Sequence, residues 1–118
     1  MIDYGQYQGD IDAILARRYD NGADYWATAD GKLAKGSPFS TYTSALMLLE
    51  LGMKPTDPVL MKVADLFFGT WRSDGRFKLY PNGGIYPCQT AYVAHLLCRM
   101  GYVDGERVQT TLRHFLSS

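Results

Sequence analysis

The chain has 118 residues, 47% of them hydrophobic, enough for one domain, residues 1–118, with a real core. Its 12 acids and 12 bases cancel. No basic stripe, RNP, finger or basic-helix motif appears, so nucleic acid is not an expected partner. The longest apolar run, Ala45–Leu49, is far too short to span a bilayer, and no charged start followed by an apolar stretch marks a signal peptide.

From the N-terminus, residues 1–8 show no clear period. Helix A is expected from Asp10 to Tyr19, with Asp10 as its cap and Ile11, Ile14, Leu15 and Tyr19 on one stripe. Asn21-Gly22 would end it. An aromatic loop follows, Tyr25 to Leu33, around an Asp30-Gly31 turn. Helix B is expected over Phe39–Leu51, signalled by Ser37-Pro38 and closed by Gly52. Glu50 is its only charge, so protein should surround it. Helix C starts near Thr56-Asp57-Pro58, cap then proline. Val59, Leu60, Val63, Leu66 and Phe67 form its stripe, and Lys62 and Asp65 face away. A second aromatic loop, Trp71 to Phe77, reads as an echo of Trp26 to Leu33. An irregular linker, Lys78–Tyr86, leads to helix D, Cys88–Met100, also largely apolar. Asp104 or Gly105 caps helix E, which runs to Leu116 with Val108, Leu112, Phe115 and Leu116 as its stripe.

Residues 38–67 overlay 87–116 at a constant offset of 49, without a gap. Pro38/Pro87, Thr41/Thr90, Ala45/Ala94, Leu48/Leu97, Gly52/Gly101 and Val59/Val108 are identical pairs. Residues 10–33 add half a repeat. A period near 50 with helical spacing predicts stacked helical hairpins. With A, C and E amphipathic and B and D apolar all round, a two-layer arc results, B and D inside. Such an arc leaves two open apolar faces for further sequence, a second copy or a partner to cover.

Asp74-Gly75-Arg76-Phe77, a Gly-rich linker, Tyr86-Pro87-Cys88-Gln89-Thr90-Ala91-Tyr92, then Leu96-Leu97-Cys98-Arg99-Met100-Gly101-Tyr102 and Glu106-Arg107-Val108-Gln109 resemble the repeat of the terpenoid cyclase and protein prenyltransferase superfamily. They look most like the prenyltransferase/squalene-oxidase-type repeats. The resemblance spans about residues 10–116 and implies an incomplete α/α toroid of about five helices, homo-oligomeric or part of a larger ring. Chemistry does not follow from it, because the fold carries many.

The family's catalytic patterns are broken here. Of an Asp-x-Asp-Asp acid motif only Asp10-Ile11-Asp12 is present, with Ala13 where the last Asp would stand. Trp26 and Trp71 occupy the place of the repeat glutamine. Gln89 stands before Thr90 where zinc-binding relatives carry His. His95 and Cys98, three apart, would reach one metal, but a core histidine and a buried thiol are the plainer reading. His114 reads as solvated. No cofactor is implied.

By the resemblance, the cavity mouth would hold Ser40, Thr41, Tyr42, Cys88, Gln89 and Tyr92. Trp26, Trp71, Phe77 and Tyr86 would wall it for a hydrophobic or isoprenoid ligand, or simply pack. Cys88, at a helix N-terminus, reads as a packed residue or a reactive thiol. Asp30 and Asp74 look like the same turn of two repeats. Arg72 and Arg76 would suit a diphosphate or plain surface. Cys88 and Cys98 on one helix would stand about 15 Å apart, too far to bridge, so reduced thiols and a cytoplasmic setting are expected. Two functions result: a non-catalytic binding or assembly module or toroid fragment, and a prenyl- or terpene-related enzyme completed by oligomerisation or further sequence.

Overall fold

A computed structural model describes residues 5–35, 39–81 and 83–117. They form a 3-10 turn, Gly5–Tyr7, and five α-helices: α1 (Gln8–Leu15), α2 (Thr41–Glu50), α3 (Pro58–Phe68), α4 (Pro87–Arg99) and α5 (Glu106–Ser117). The chain is all-α, as expected. Among the described residues the β pairing is two isolated antiparallel bridges, Gly22 with Thr28 and Trp71 with Phe77. Contacts divide the chain into two compact units, Met1–Val63 and Ala64–Ser118, the division falling inside α3.

In the first unit α1 packs against α2 and buries Ile11 and Ile14. Helix A is shorter than expected and starts earlier. Its N-cap is Tyr7, so Asp10 is not a cap; it lies in the first turn, where its charge suits the helix dipole. After Leu15 the chain tightens into i→i+3 turns, Arg17 N–H to Ile14 O and Arg18 N–H to Leu15 O. That rotation takes Tyr19 off the stripe and leaves it 61% exposed.

Helix α2 begins two residues later than the expected helix B. Ser40 caps it, its Oγ accepting from Thr43 N–H at 3.1 Å. The expected signal, Ser37-Pro38, lies outside the described residues. Glu50 is the only exposed residue of α2, as its composition implied. Asp57 caps α3 by accepting from Val59 N–H at 3.0 Å. Leu60, Val63, Ala64 and Phe67 are buried, while Lys62 and Asp65 face solvent.

In the second unit α4 packs against α5. Helix α4 departs from the expected apolar cylinder. Thr90, Val93, Ala94, Leu96 and Leu97 are buried, but Cys88, Ala91, Tyr92, His95 and Arg99 form an exposed stripe. The polar residues recur at i, i+3/i+4, i+7 and i+11, so the helix is amphipathic. In α5 the buried residues are Val108 and Thr111. Leu116 does not join that stripe and is 87% exposed.

The repeat is visible in local conformation. After α2, Gly52 N–H bonds Leu49 O and Met53 N–H bonds Leu48 O; after α4, Gly101 bonds Cys98 O and Tyr102 bonds Leu97 O. Both glycines are left-handed, at φ 100° and 96°. These are two copies of one glycine-dependent helix stop, 49 residues apart. The two bridges are also 49 residues apart. The loop register is therefore Gly22–Thr28 with Trp71–Phe77. Trp26 and Trp71 are not counterparts, and neither are Asp30 and Asp74; the copies keep backbone path while exchanging side chains.

Candidate functional site

The aromatic loops belong to the frame. Trp26 is fully buried, its Nε1–H donating to Ile14 O at 3.0 Å. Asn21 donates from Nδ2 to Trp26 O at 2.9 Å and Phe39 O at 2.6 Å, tying the loop to the chain that enters α2. Thr41 is buried and donates from Oγ1 to Tyr25 O at 2.6 Å. Its repeat partner Thr90 works in the opposite sense, accepting from Phe77 N–H at 3.1 Å. Phe77 is fully buried. Trp71 is half-buried and donates from Nε1 to Thr111 Oγ1 at 3.3 Å.

The proposed mouth residues divide between the units: Ser40, Thr41 and Tyr42 fall in the first, Cys88, Gln89 and Tyr92 in the second. Ser40 is the α2 cap and Tyr42 is half-buried. Cys88 is exposed and Tyr92 is 54% exposed. Gln89 is half-buried, with Oε1 shut from solvent and without a hydrogen-bond partner. Tyr86 is exposed and meets Tyr80 edge-on at 6.0 Å.

The charged candidates are engaged locally. Arg76 Nε lies 2.6 Å from Asp74 Oδ2, and Arg72 reaches Trp71 O at 3.3 Å. Asp74 is held below the usual carboxylate range, first by the Arg76 N–H. Asp30 bonds the Thr28 hydroxyl and Lys32 Nζ, the latter at 3.2 Å; these contacts lower it similarly, Thr28 foremost. Asp10 and Asp12 are exposed on α1, Asp12 accepting from Gln8 Nε2 at 2.8 Å.

Two concavities of the second unit were missed by sequence reasoning. A cleft of about 430 Å³ runs past Phe68, Tyr102 and Arg107. The Arg107 guanidinium lies 4.0 Å over the Phe68 ring, which meets Tyr102 edge-on at 5.3 Å. That aromatic face is already capped by the chain's own cation.

The second is an apolar groove of about 310 Å³ between α4 and α5, lined by Ala91, Ala94, His95, Cys98, Leu112 and Phe115. His95 is exposed at its edge, not a core residue, because its position one turn from Ala91 and Cys98 faces outward. Cys98 is half-buried, and burial pushes its thiol up. His114 is half-buried rather than solvated, its ring 5.7 Å from that of Phe115. Among the described residues no three His, Cys, Asp or Glu side chains come together as a metal site would need. The sequence did carry a signal for this groove: Tyr42, Leu46 and Leu49 become Ala91, His95 and Cys98 in the second copy.

No family model matches the chain, and neither a curated protein nor a solved structure matches it.

Proposed function

We propose that the chain is a non-catalytic binding module made of repeated helical hairpins, read as turns of an incomplete α/α toroid of the prenyltransferase and terpenoid cyclase kind. One observation carries this reading: several of the side chains suited to line a reaction cavity are built into the frame. Trp26, Thr41 and Thr90 hold the loops onto the helices through their side chains, Thr90 by accepting from the backbone N–H of buried Phe77, and Arg76 holds Asp74. A residue fixed by such a bond must break it before it can meet a substrate.

The second copy does not repeat the buried face of α3: Leu60, Ala64 and Phe67 are buried, and 49 residues on stand Gln109, Arg113 and Leu116. An isoprenoid pocket and a ring completed by a second copy, the other partners suggested by the sequence, gain no such support.

The test is calorimetric titration with a prenyl diphosphate, with product analysis. The expected result is no saturable heat and no turnover. Saturable binding weakened by Gln89→Ala or Arg76→Ala would overturn the proposal in favour of an enzyme.

A further inference from the structure

We propose that Asn21-Gly22 is a modification site gated by a latch. The Asn21 carboxamide holds the first loop shut, and deamidation of Asn21, once the loop has opened, keeps it open.

An Asn-Gly pair carries its own chemistry. The Gly nitrogen attacks the Asn Cγ, and an N–Cγ bond forms. The Cγ–Nδ2 bond breaks, and Nδ2 leaves as ammonia, its third proton replacing the one lost from the Gly nitrogen. Water then opens the succinimide to aspartate or isoaspartate. Glycine favours the attack because no Cβ shields its nitrogen. The fold itself demands glycine here. Gly22 has φ 115°, and a Cβ would lie 3.0 Å from Ala29 N and 3.2 Å from Ala29 Cβ. Gly22 is also exposed, so water reaches it. In the second copy the same two places hold Thr70 and Trp71, which cannot react in this way.

The closed loop withholds both reactants. Asn21 Nδ2 donates to Trp26 O at 2.9 Å and to Phe39 O at 2.6 Å. The Gly22 N–H donates to Tyr19 O at 3.1 Å. Ring closure needs the carboxamide to leave two carbonyls and the Gly22 nitrogen to give up its proton and its bond. The reaction therefore waits on local opening.

The product does not fit the closed loop. Backbone carbonyls only accept, so Nδ2 is the carboxamide atom that satisfies Trp26 O and Phe39 O. A carboxylate at position 21 offers no proton and sets negative charge against both oxygens. The same loop carries Tyr25 and Trp26 left-handed, at φ 55° and 61°, a conformation that persists only while its surroundings enforce it. With the clamp gone, residues 22–28 relax and the loop loses its tie to the chain entering α2.

The experiment is incubation of the full chain in mildly alkaline buffer, with and without unfolding urea. Tryptic mapping follows the mass gain of one dalton in residues 19–32; Asn82-Gly83, the other Asn-Gly pair, falls in residues 79–99 and is read separately. Asn21 should convert roughly tenfold or more faster in urea than in the native chain. Hydrogen exchange of Asn21→Asp supplies the second arm. Its amides in residues 22–28 should exchange roughly tenfold or more faster than in the wild type, with the helix signal in circular dichroism retained. Equal conversion of Asn21 with and without urea would overturn the proposal, since the native loop would then withhold nothing. So would wild-type exchange in Asn21→Asp, since the carboxylate would fit the closed loop. Loss of the helix signal in Asn21→Asp would overturn it too, by making the clamp a condition of folding and not a latch on one loop.

Discussion

Trp26 and Gly75 hold the same place in the two copies, 49 residues apart, and both are left-handed, at φ 61° and 93°. Each lies inside a loop closed by one antiparallel bridge, Gly22 with Thr28 and Trp71 with Phe77. The residues reach that conformation for different reasons. Trp26 is held there by full burial and the bond from its indole N–H to Ile14 O. The cost of a left-handed L residue, about 1–2 kcal/mol, is offset by burying a large aromatic side chain. Gly75 is there because only glycine fits: a Cβ would lie 2.9 Å from both Thr110 O and Thr111 Cα of α5.

This contact predicts a graded response to alanine. Gly52 has a similar φ of 100° but open space around it. Gly52→Ala should cost about 1 kcal/mol from conformation alone, and Gly75→Ala about 3 kcal/mol, because α5 must also move. Urea midpoints of the two variants measure the difference. Equal losses would mean that the approach of the loop to α5 is not tight.

Thr41 and Thr90 are identical in sequence and opposite in hydrogen-bond sense, so they should respond differently. Thr90→Val removes the acceptor of the buried Phe77 N–H, and a buried donor left unsatisfied costs about 1–3 kcal/mol. Thr41→Val removes a donor to Tyr25 O, on a residue that keeps some solvent contact, and should cost less. Thr90→Ser keeps the acceptor and should recover most of the loss. Urea unfolding of the three variants checks the order, and Thr90→Ser behaving like Thr90→Val would show that the methyl group, not the hydroxyl, matters.

Helix content was legible in the sequence because Gly52, Gly101, Asp57 and the apolar spacing of α3 each speak through local rules. The loops were legible in part. Trp26 and Trp71 look like partners by composition, yet the backbone pairs Trp26 with Gly75, and no local rule reveals an indole held left-handed by burial. The surface of α4 was misread for a related reason. Tyr92, His95 and Arg99 share one face, but apolar neighbours in sequence, Leu96, Leu97 and Cys98, mask that face until the helix is wound. The groove between α4 and α5 depends on Ala91 being small where Tyr42 is large, a difference visible only when the repeat is used to compare positions and not merely to assign helices.

Ser44 gives a stabilising prediction. It is buried in α2, its hydroxyl has no hydrogen-bond partner, and the second copy has Val93 at that place. Ser44→Ala removes the desolvated hydroxyl without adding bulk and should raise stability by about 1 kcal/mol. A fall in melting temperature would show that the hydroxyl is satisfied in solution.

Acid should weaken the loops through Asp74 and Asp30. The Arg76 N–H, 3.1 Å from Asp74 Oδ1, and the Thr28 hydroxyl on Asp30 hold these carboxyls below their ordinary values. A carboxyl with a lowered folded pKa binds fewer protons in the folded state. Its stabilisation is therefore full above the unfolded value, near about 3.9, and disappears as pH falls through the folded one. Both groups are exposed, so the effect is small. Asp74→Asn should destabilise the chain at about pH 7, and that difference should shrink progressively as pH falls below the unfolded carboxyl value. A wild-type advantage undiminished at the lower pH would remove Asp74 from the account.

The two cysteines should alkylate at different rates. Cys88 is exposed in the first turn of α4, whereas Cys98 is half-buried in the α4–α5 groove, where burial pushes its thiol up. The thiolate is the nucleophile, so raised pKa and restricted access both slow Cys98. Iodoacetamide under mildly alkaline conditions should modify Cys88 first, and urea should bring the two rates together. Both residues fall in one tryptic peptide, residues 79–99, so fragment-ion mass spectrometry must separate them. Equal rates in the native protein would mean that the groove around Cys98 is open to reagent.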